Sequence, residues 1–510
     1  MISSNQKITS LPEPLFTSQQ VREGEKVVAQ QLGIEMYTLM ELAGASVFEL
    51  IQTYYTETRK LLVCCGKGNN GGDGYIVARL SLIAGYDVTV WQVGDSSALK
   101  GDALRARDEF LAAGGVIDSP ENVVADDIDI IIDALLGTGI SGEVRPFYSH
   151  VFDRLNQSSK PIVSIDTPSG LDTDTGVVLG NAIEADRTVT FIGVKQGLVT
   201  GRARAFTGQL HFAGLGVDKA FTQQNKANAT LTNNHWLNHL PQRAKDSHKG
   251  THGKLLVVGA NNGMSGAAYL ASAACLRAGG GLCAVLTHEA SVTPIRTLLP
   301  EAMIDACTTQ SLTDRVNWSS AVAIGVGLGR TAWSARVFDQ TLKLAMSLDL
   351  PVVIDADGLY RLSQSQSDLP VLKNHIMTPH PGEAAQLLNC RIGDIEKDRF
   401  QAIRALQKAY GGVVVLKGAG TLIYDGQSMI VCHAGNPGMA NGGMGDLLTG
   451  TILGLLGQGK NTVQSAILGT LIHSIAADEE SKEHGEVGML ASDLLPQIRL
   501  VRNHDNYVSS

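Results

Sequence analysis

LLVCCGKGNNGGDGYIVA, residues 61–78, runs from an apolar strand through a glycine- and asparagine-rich loop into a helical pattern, and KLLVVGANNGMSGAAYLA, residues 254–271, does the same. An unbroken apolar run before such a loop is the signature of a parallel strand buried on both faces. From the first stretch, further strand signals follow at Asp87–Val93, Ile128–Ala134, Pro161–Ile165 and Arg187–Ile192. They alternate with helical patterns at Gly74–Ala84 and Lys100–Ala113, after a helical run from Ser18 to Tyr55. From the second stretch the strands continue at Ala321–Ile324, Pro351–Ile354, Ile376–Thr378, Val413–Leu416 and Thr421–Tyr424. A helical pattern, Asp446–Leu456, follows a second glycine-rich loop. Strand and helix in alternation imply parallel sheets with crossover helices, so the chain is α/β in two domains. The later motifs of the halves do not match, so their likeness is a shared strand-to-helix turn rather than a duplication.

Between the halves, TQQNKANATLTNNHWLNHLPQRAKDSHKG is polar and lacks a periodic apolar face. This places the domains at 1–217 and 250–510, with 218–249 as a mobile linker. A chain of 510 residues is long enough for several cores. The 56 glycines show no G-X-Y period, so they point to tight loops and close backbone approaches. A net charge of −9 without a long basic run argues against nucleic acid. The seven scattered cysteines contain no CxxC pair and read as reduced thiols of a cytoplasmic protein. The start has no apolar signal region, and the most apolar stretch, Ala267–Leu286, carries Arg277 and a glycine triplet. It reads as a helix of a soluble protein, so no membrane partner is expected.

Gly66-Lys-Gly68-Asn-Asn-Gly71 matches the dinucleotide fingerprint G-x-G-x-x-G, but Asp73 lies in the loop, where a carboxylate repels a pyrophosphate. Asp95, 29 residues past Gly66, is also poorly placed for a ribose. A glycine-rich packing turn is the plain alternative. Two later strand ends carry Asp133 with Gly137-Thr-Gly139, and Asp166-Thr-Pro-Ser169-Gly170. Ligands collect outside the carboxyl ends of such strands. Asn70, Asp133 and Ser169 together offer hard oxygen ligands for a cation, although a single strand-end Asp is more often a cap or turn former.

No Walker A motif is present in the second half. In Asn441-Gly-Gly-Met-Gly445-Asp446, glycines 442, 443 and 445 precede a helix N-terminus, where free N–H groups and the dipole bind anions. Asp446 is either an N-cap or a base that takes a proton from a hydroxyl while the amides hold a phosphoryl group. A cap needs no such glycine cluster, which favours the base. Lys417-Gly-Ala-Gly-Thr421 follows a strand and suits nucleotide phosphates. His380, flanked by prolines at a strand end, is a substrate contact or a structural histidine. Gly325-Val-Gly327-Leu-Gly329 permits close ligand approach. Asp355 and Asp357 suit either magnesium, through water, or an Asx-turn.

GKGNNGGDG, LLGTGISGEV with Tyr148, DTPSGLD and Leu39-Met-Glu-Leu-Ala-Gly44 resemble the NAD(P)H-hydrate epimerase domain over about residues 17–217. GVGLGR, TPHPGEAAQLL, LKGAGT and NGGMGDLLTG resemble the ADP-dependent NAD(P)H-hydrate dehydratase domain over about residues 230–505. Together they resemble the bifunctional NAD(P)H-hydrate repair enzymes. The resemblance implies a Rossmann-like three-layer α/β/α domain followed by a ribokinase-like α/β domain. It implies epimerisation of the R and S hydrates at C6 in the first, and dehydration of the S hydrate with ADP, giving NAD(P)H, AMP and phosphate, in the second.

The resemblance also assigns residues. A potassium ion is expected at Asn70, Asp133 and Ser169. The hydrate is expected at Asn69, Asn70, Gly71, Gly72 and Asp73, at Gly137, Thr138, Gly139, Ile140, Ser141, Gly142 and Glu143, and at Tyr148 and Asp166. In the second half it is expected at Ala267, Gly327, His380 and Asp446. The nucleotide, with magnesium, is expected at Lys417, Gly418, Ala419, Gly420, Thr421 and Gly445. GANNGMSG at 259–266 departs from the commoner Gly-Gly-Ser start of its loop. Asp166 suits proton shuttling beside the ring, with Lys195 either a second participant or a surface lysine. The expected partners are small molecules and further copies of the chain. The alternatives are a ribokinase-like small-molecule kinase fused to a nucleotide-binding regulatory domain, and a non-catalytic interaction scaffold.

Overall fold

The computed structural model of the chain describes residues 11–120, 124–140, 142–364 and 374–503. They form two compact units, Met1–Thr230 and Leu231–Ser510.

In the first unit β1 (Pro14–Phe16) stands apart from a sheet built of β2 (Lys60–Cys65), β3 (Asp87–Gln92), β4 (Val116–Asp118), β5 (Ile130–Ala134), β6 (Ile162–Ile165), β7 (Arg187–Phe191) and, after the short β8 (Val194–Lys195), β9 (Gln209–Ala213). The sheet order is β4-β3-β2-β5-β6-β7-β9, and every pair is parallel. Side chains alternate across it as the pleat requires. Leu61, Val63 and Cys65 of β2 and Ile130 and Ile132 of β5 enter the core under the helices Met36–Tyr54 and Asn69–Ile83. Leu62, Cys64 and Ile131 enter a separate core with Val151, Phe152 and Leu155 of the helix Pro146–Asn156. That is the expected three-layer arrangement. Chain order reverses between β2 and β5, the switch point at which α/β sheets open a crevice.

Three features depart from expectation. The helical run 18–55 is two helices, Ser18–Leu32 and Met36–Tyr54, because Gly33 ends the first in the left-handed conformation (φ 67°). The second helix of the sheet unit starts at Asn69, five residues before the expected Gly74, so the glycine loop is largely its first turn. Two glycines make this possible: a Cβ on Gly66 would overlap the Leu135 carbonyl, and one on Gly71 would overlap the Gly66 carbonyl.

The third departure concerns 218–249, which is not a structureless connector. Asp218–Gln224 is a helix, and its Phe221 is fully buried edge-on against Phe16, with ring centroids 4.8 Å apart. The unit then extends through Asn228, which bonds to the Leu15 carbonyl (2.8 Å), to β10 (Ala229–Leu231), antiparallel to β1. A short helix can be anchored by one aromatic, without the periodic face that a sequence scan looks for.

The second unit contains β11 (Lys254–Val258), β12 (Leu282–Thr287), β13 (Met303–Ala306), β14 (Ala321–Ile324), β15 (Val352–Ile354), β16 (His375–Met377), β17 (Val413–Leu416), β18 (Thr421–Tyr424) and β19 (Met429–Cys432). Their order is β13-β12-β11-β14-β15-β16-β17-β18-β19, parallel as far as β17 and antiparallel beyond it. The stretch 267–286, expected as one helix, is the end of the helix Ser265–Arg277 followed by β12. Gly279, at φ 107°, makes the break between them. The helix Met444–Gly457 packs against Ser265–Arg277 so closely that a Cβ on Gly450 would overlap the Ala271 carbonyl. Among the described residues no helix is long and apolar enough to cross a membrane.

Candidate functional site

At the switch point of the first unit, Asp133 ends β5 fully buried. Its Oδ1 accepts from Ser169 Oγ (2.6 Å) and Leu135 N (3.2 Å), and its Oδ2 from Ser164 Oγ (2.8 Å) and Ser169 N (2.8 Å). Burial pushes its carboxyl up, against the pull of these hydrogen bonds. Among the described residues no cationic side chain lies within ion-pair distance of it. Beside it, Asn70 is 9% exposed, and neither its Oδ1 nor its Nδ2 has a hydrogen-bond partner. Gly137 lies against the Asn70 side chain, which a Cβ there would approach to 3.2 Å. An orphaned amide oxygen, a buried carboxylate without a cationic partner and a serine hydroxyl are the donor set that a hard monovalent cation takes. Asn70, Asp133 and Ser169 therefore fit the potassium ion that the resemblance implies.

The adjoining cavity, about 460 Å³, is lined by Asn69, Asn70 and Asp73, by Gly137–Ile140, and by Asp166 and Lys195. Gly142, Glu143 and Tyr148 lie outside that lining, and Ser141 lies outside the described residues. Lys195 is not a surface lysine: it is 1% exposed. It donates to Thr190 Oγ1 (3.0 Å) and to Asp166 Oδ1. Asp166 sits at φ 65°, a left-handed strain characteristic of functional positions. Sequence reasoning missed Glu25, which reaches the same cavity from the helix Ser18–Leu32. Burial, with Asp166 adding to it, pushes its carboxyl up to about 7. Asp73 is raised well above the carboxylate range by burial and by the charges of Asp166 and Glu25. The cavity thus holds proton donors and acceptors side by side.

In the second unit the residues that follow β15 and β17 meet the N-terminus of Met444–Gly457: a Cβ on Gly445 would come within 3.2 Å of Lys417 Nζ and 3.4 Å of Asp355 Oδ2. The N-cap of that helix is Gly443, at φ 91°, and no side chain caps it, so Asp446 is not a cap. Burial and the charge of Asp355 raise Asp446 to about 7, with Lys417 opposing. Asp355 is 1% exposed; its Oδ1 accepts from Lys417 Nζ (2.9 Å) and its Oδ2 from Thr449 Oγ1 (2.9 Å). Lys417 lies 3.7 Å from Glu383 Oε2 as well. Burial alone would lower its pKa, but Asp355 and Glu383 hold its ammonium above the usual value.

Behind the Lys417 loop stands Arg399, 1% exposed, donating to the carbonyls of Leu416 (3.3 Å) and Lys417 (3.2 Å). A Cβ on Gly418 would come within 2.9 Å of its guanidinium. Sequence reasoning missed Arg399 and Thr449, because nothing in their immediate neighbours marks them. Gly327, at φ 56°, lies against Ala267, so these two expected substrate contacts meet. His380 caps the helix Pro381–Leu388: its Nδ1 accepts from Gly382 N (3.0 Å), and its own N–H donates to Glu383 (2.8 Å). The other ring nitrogen, Nε2, lies 3.6 Å from Glu383 Oε1. Asp357 accepts from Gly329 N (2.8 Å) and Arg330 Nε (3.3 Å).

Comparison with known proteins agrees with this division. Residues 36–197 match the family described as YjeF-related protein N-terminus, and residues 255–500 the family described as NAD(P)H-hydrate dehydratase. The chain is 48% identical to the bifunctional NAD(P)H-hydrate repair enzyme of Vibrio cholerae over 97% of its own length and 99% of the relative's. It is 40% identical to that of Escherichia coli over 98% of each. A ribokinase-like superfamily protein from Enterococcus faecalis superposes with a TM-score of 0.51 at 27% identity, over 55% of this chain and 96% of that one.

The Asp355–Lys417 pair yields a stability prediction. Lys417→Met strands a buried carboxylate and should destabilise the second unit by roughly 3–5 kcal/mol, read from urea unfolding at pH 8. Asp355→Asn combined with Lys417→Met should recover much of that loss. A single-variant loss under about 1 kcal/mol, the range of a surface pair, would show that the pair carries little.

Proposed function

The chain belongs to the bifunctional NAD(P)H-hydrate repair enzymes, and from that premise we propose that its first unit interconverts the R and S hydrates of NADH and NADPH at C6 while its second dehydrates the S hydrate with ADP. One observation carries this reading most strongly. In the first unit the cavity at the sheet switch point is rich in proton-exchanging carboxyls, and in the second a helix N-terminus without a capping side chain presents an ionisable aspartate.

In the first unit the nicotinamide ring lies against Asp73, Asp166, Lys195 and Glu25. C6 carries the hydroxyl and adjoins the ring nitrogen. Inversion runs either through loss and return of water or through ring opening. By the first route the nitrogen lone pair expels the hydroxyl as water, with a proton from a neutral carboxyl. Water then adds to the other face as a carboxylate takes its proton. Asp166 is the base, held in place by Lys195. Glu25 is the acid, since its pKa, raised to about 7, keeps a proton available near neutrality. A potassium ion at Asn70, Asp133 and Ser169, when bound, supplies positive charge beside the loops that cradle the substrate.

In the second unit Lys417–Thr421 and the Gly445 amide receive the ADP phosphates. The magnesium that accompanies ADP arrives with the nucleotide. Ala267, Gly327 and His380 border the hydrate. Asp446 takes the proton from the C6 hydroxyl as its oxygen attacks the terminal phosphorus and AMP leaves. The ring nitrogen lone pair then expels phosphate from C6, and loss of a proton from C5 restores the double bond.

Asp446→Asn keeps the shape and removes the base. Dehydration should fall on the order of a hundredfold or more, with epimerisation unchanged. The wild-type enzyme should show kcat/KM for dehydration rising tenfold per pH unit below about 7 and levelling above it, because only ionised Asp446 accepts the proton. A flat profile, or near-normal dehydration by the variant, removes Asp446 from the chemistry.

Asp133→Ala should abolish potassium dependence and slow epimerisation while leaving dehydration intact. Rubidium soaked into wild-type crystals should give an anomalous peak among Asn70, Asp133 and Ser169, and an empty pocket would refute the cation assignment.

A further inference from the structure

The helix Met444–Gly457 carries Asp446 at one end and meets a second cavity at the other. Twelve residues separate Asp446 from Gln458, about 18 Å at 1.5 Å per residue. The second cavity, about 610 Å³, exceeds that of the first unit and lies wholly in residues 237–503. It is lined by Arg243, Arg277, Arg499 and Arg502, and no aspartate or glutamate lines it. Among the described residues none of these arginines forms an ion pair. Their hydrogen bonds go elsewhere: Arg243 Nη2 donates to the Gly279 carbonyl (2.9 Å), and Arg502 Nη2 to Gln458 Oε1 (3.0 Å) and to the Pro241 carbonyl. The Nε of Arg502 is buried and has no acceptor.

Such an arrangement attracts anions. Guanidinium groups stay charged near neutrality. Here they gather in a chain whose net charge is −9, a local inversion of the overall field. The crowding registers on Arg502 in the cavity and on His252 outside its lining. Burial lowers the pKa of Arg502, and Arg243 adds to the effect; His252 is lowered by burial and by Arg243, His248 and Arg502. The forked guanidinium matches the oxygens of a phosphate, often in bidentate pairs. The volume lies within the range of small-molecule sites, about 300–1,000 Å³. A confined cavity, rather than a basic face, suits a small anion better than a nucleic acid strand.

We propose that this cavity is a second anion site of the unit, distinct from the glycine loop, and that it takes a small molecule carrying a phosphate or diphosphate group. Arg502 Nε supplies the unclaimed buried donor, and Arg243, Arg277 and Arg499 close over the oxygens from the rim. Occupancy adds a counter-ion without displacing the Arg502–Gln458 bond that holds the end of the Asp446 helix. The site stands whether or not the reading of the active site is right, because none of its residues belongs to either reaction.

The test is isothermal titration of the full chain with inorganic pyrophosphate at low salt, repeated with inorganic phosphate and with ADP. The wild type should bind pyrophosphate with an affinity that falls as salt rises. Arg277→Gln combined with Arg499→Gln replaces two exposed side chains, so the fold and the hydrate reactions should be unchanged. That variant should bind pyrophosphate at least tenfold more weakly. Arg243→Gln, a second exposed change, should weaken binding in the same direction. If ADP also loses one class of sites in the variants, the ligand is a nucleotide; if only the inorganic anions respond, it is a bare phosphate group. Equal pyrophosphate binding by the wild type and both variants would overturn the proposal, as would no binding by the wild type. A change in oligomeric state with pyrophosphate binding unaltered would also overturn it and would make the face a contact between copies of the chain.

Discussion

A carboxylate buried at the carboxyl end of a parallel strand must be neutralised, and the chain answers that demand differently in its two units. Asp355, after β15, is given an ammonium and a hydroxyl from within, by Lys417 and Thr449. Asp133, on β5, is given only hydroxyls and backbone N–H groups, and the neighbouring amide of Asn70 is left unpartnered. The first arrangement is complete without a ligand and tensions the loop that presents Lys417. The second leaves a place for a cation from solution. Desolvation of an ionised carboxylate costs several kcal/mol unless charge or hydrogen bonds offset it, so these choices shape everything built around them.

The same electrostatics set the working groups. Asp446 is raised to about 7 because burial and Asp355 outweigh Lys417, and Glu25 reaches about 7 through burial beside Asp166. A base or acid poised near neutrality is what each proposed reaction needs. The backbone contributes by being bare where it must pass close. Gly71 lets the first turn of Asn69–Ile83 press onto the Gly66 carbonyl, Gly66 passes against the Leu135 carbonyl, and Gly137 leaves room for the Asn70 side chain. Gly443 turns left-handed to start the second catalytic helix without a capping side chain, leaving its N–H groups open.

Much of this is legible in the amino-acid sequence. Most strands of both sheets announce themselves because burial on both faces demands continuous apolar runs, and the glycine loops mark the strand ends that carry Asp133, Asp166 and Lys417 and the helix start that carries Asp446. What is not legible there has a physical reason in each case. Glu25 lies on a surface helix whose sequence shows no sign that one carboxyl turns inward to Asp166. Lys195 looks like an exposed lysine until the left-handed turn at Asp166 brings a carboxylate to it. Phe221 hides a structured helix in a polar stretch, since one aromatic anchors what periodicity does not show. The short strands β12 and β13 escape a sequence reading because Gly279–Gly281 looks like an interruption in a helix rather than the turn into a strand. Arg399 braces the Lys417 loop from beneath, a role that depends on contacts far along the chain.

Two chemistries in one chain can be tested directly by one measurement. A purified mixture of R and S NADH hydrate is incubated with the intact protein, and each epimer is followed by chromatography, first without ADP and then with it. Without ADP, a sample enriched in one epimer should relax to the equilibrium ratio with no gain of reduced-nicotinamide absorbance. With ADP, both epimers should disappear as absorbance returns, with one AMP and one phosphate for each NADH formed. Accumulation of a phosphorylated hydrate, or consumption of the S epimer alone while the R epimer persists, would contradict this division of labour.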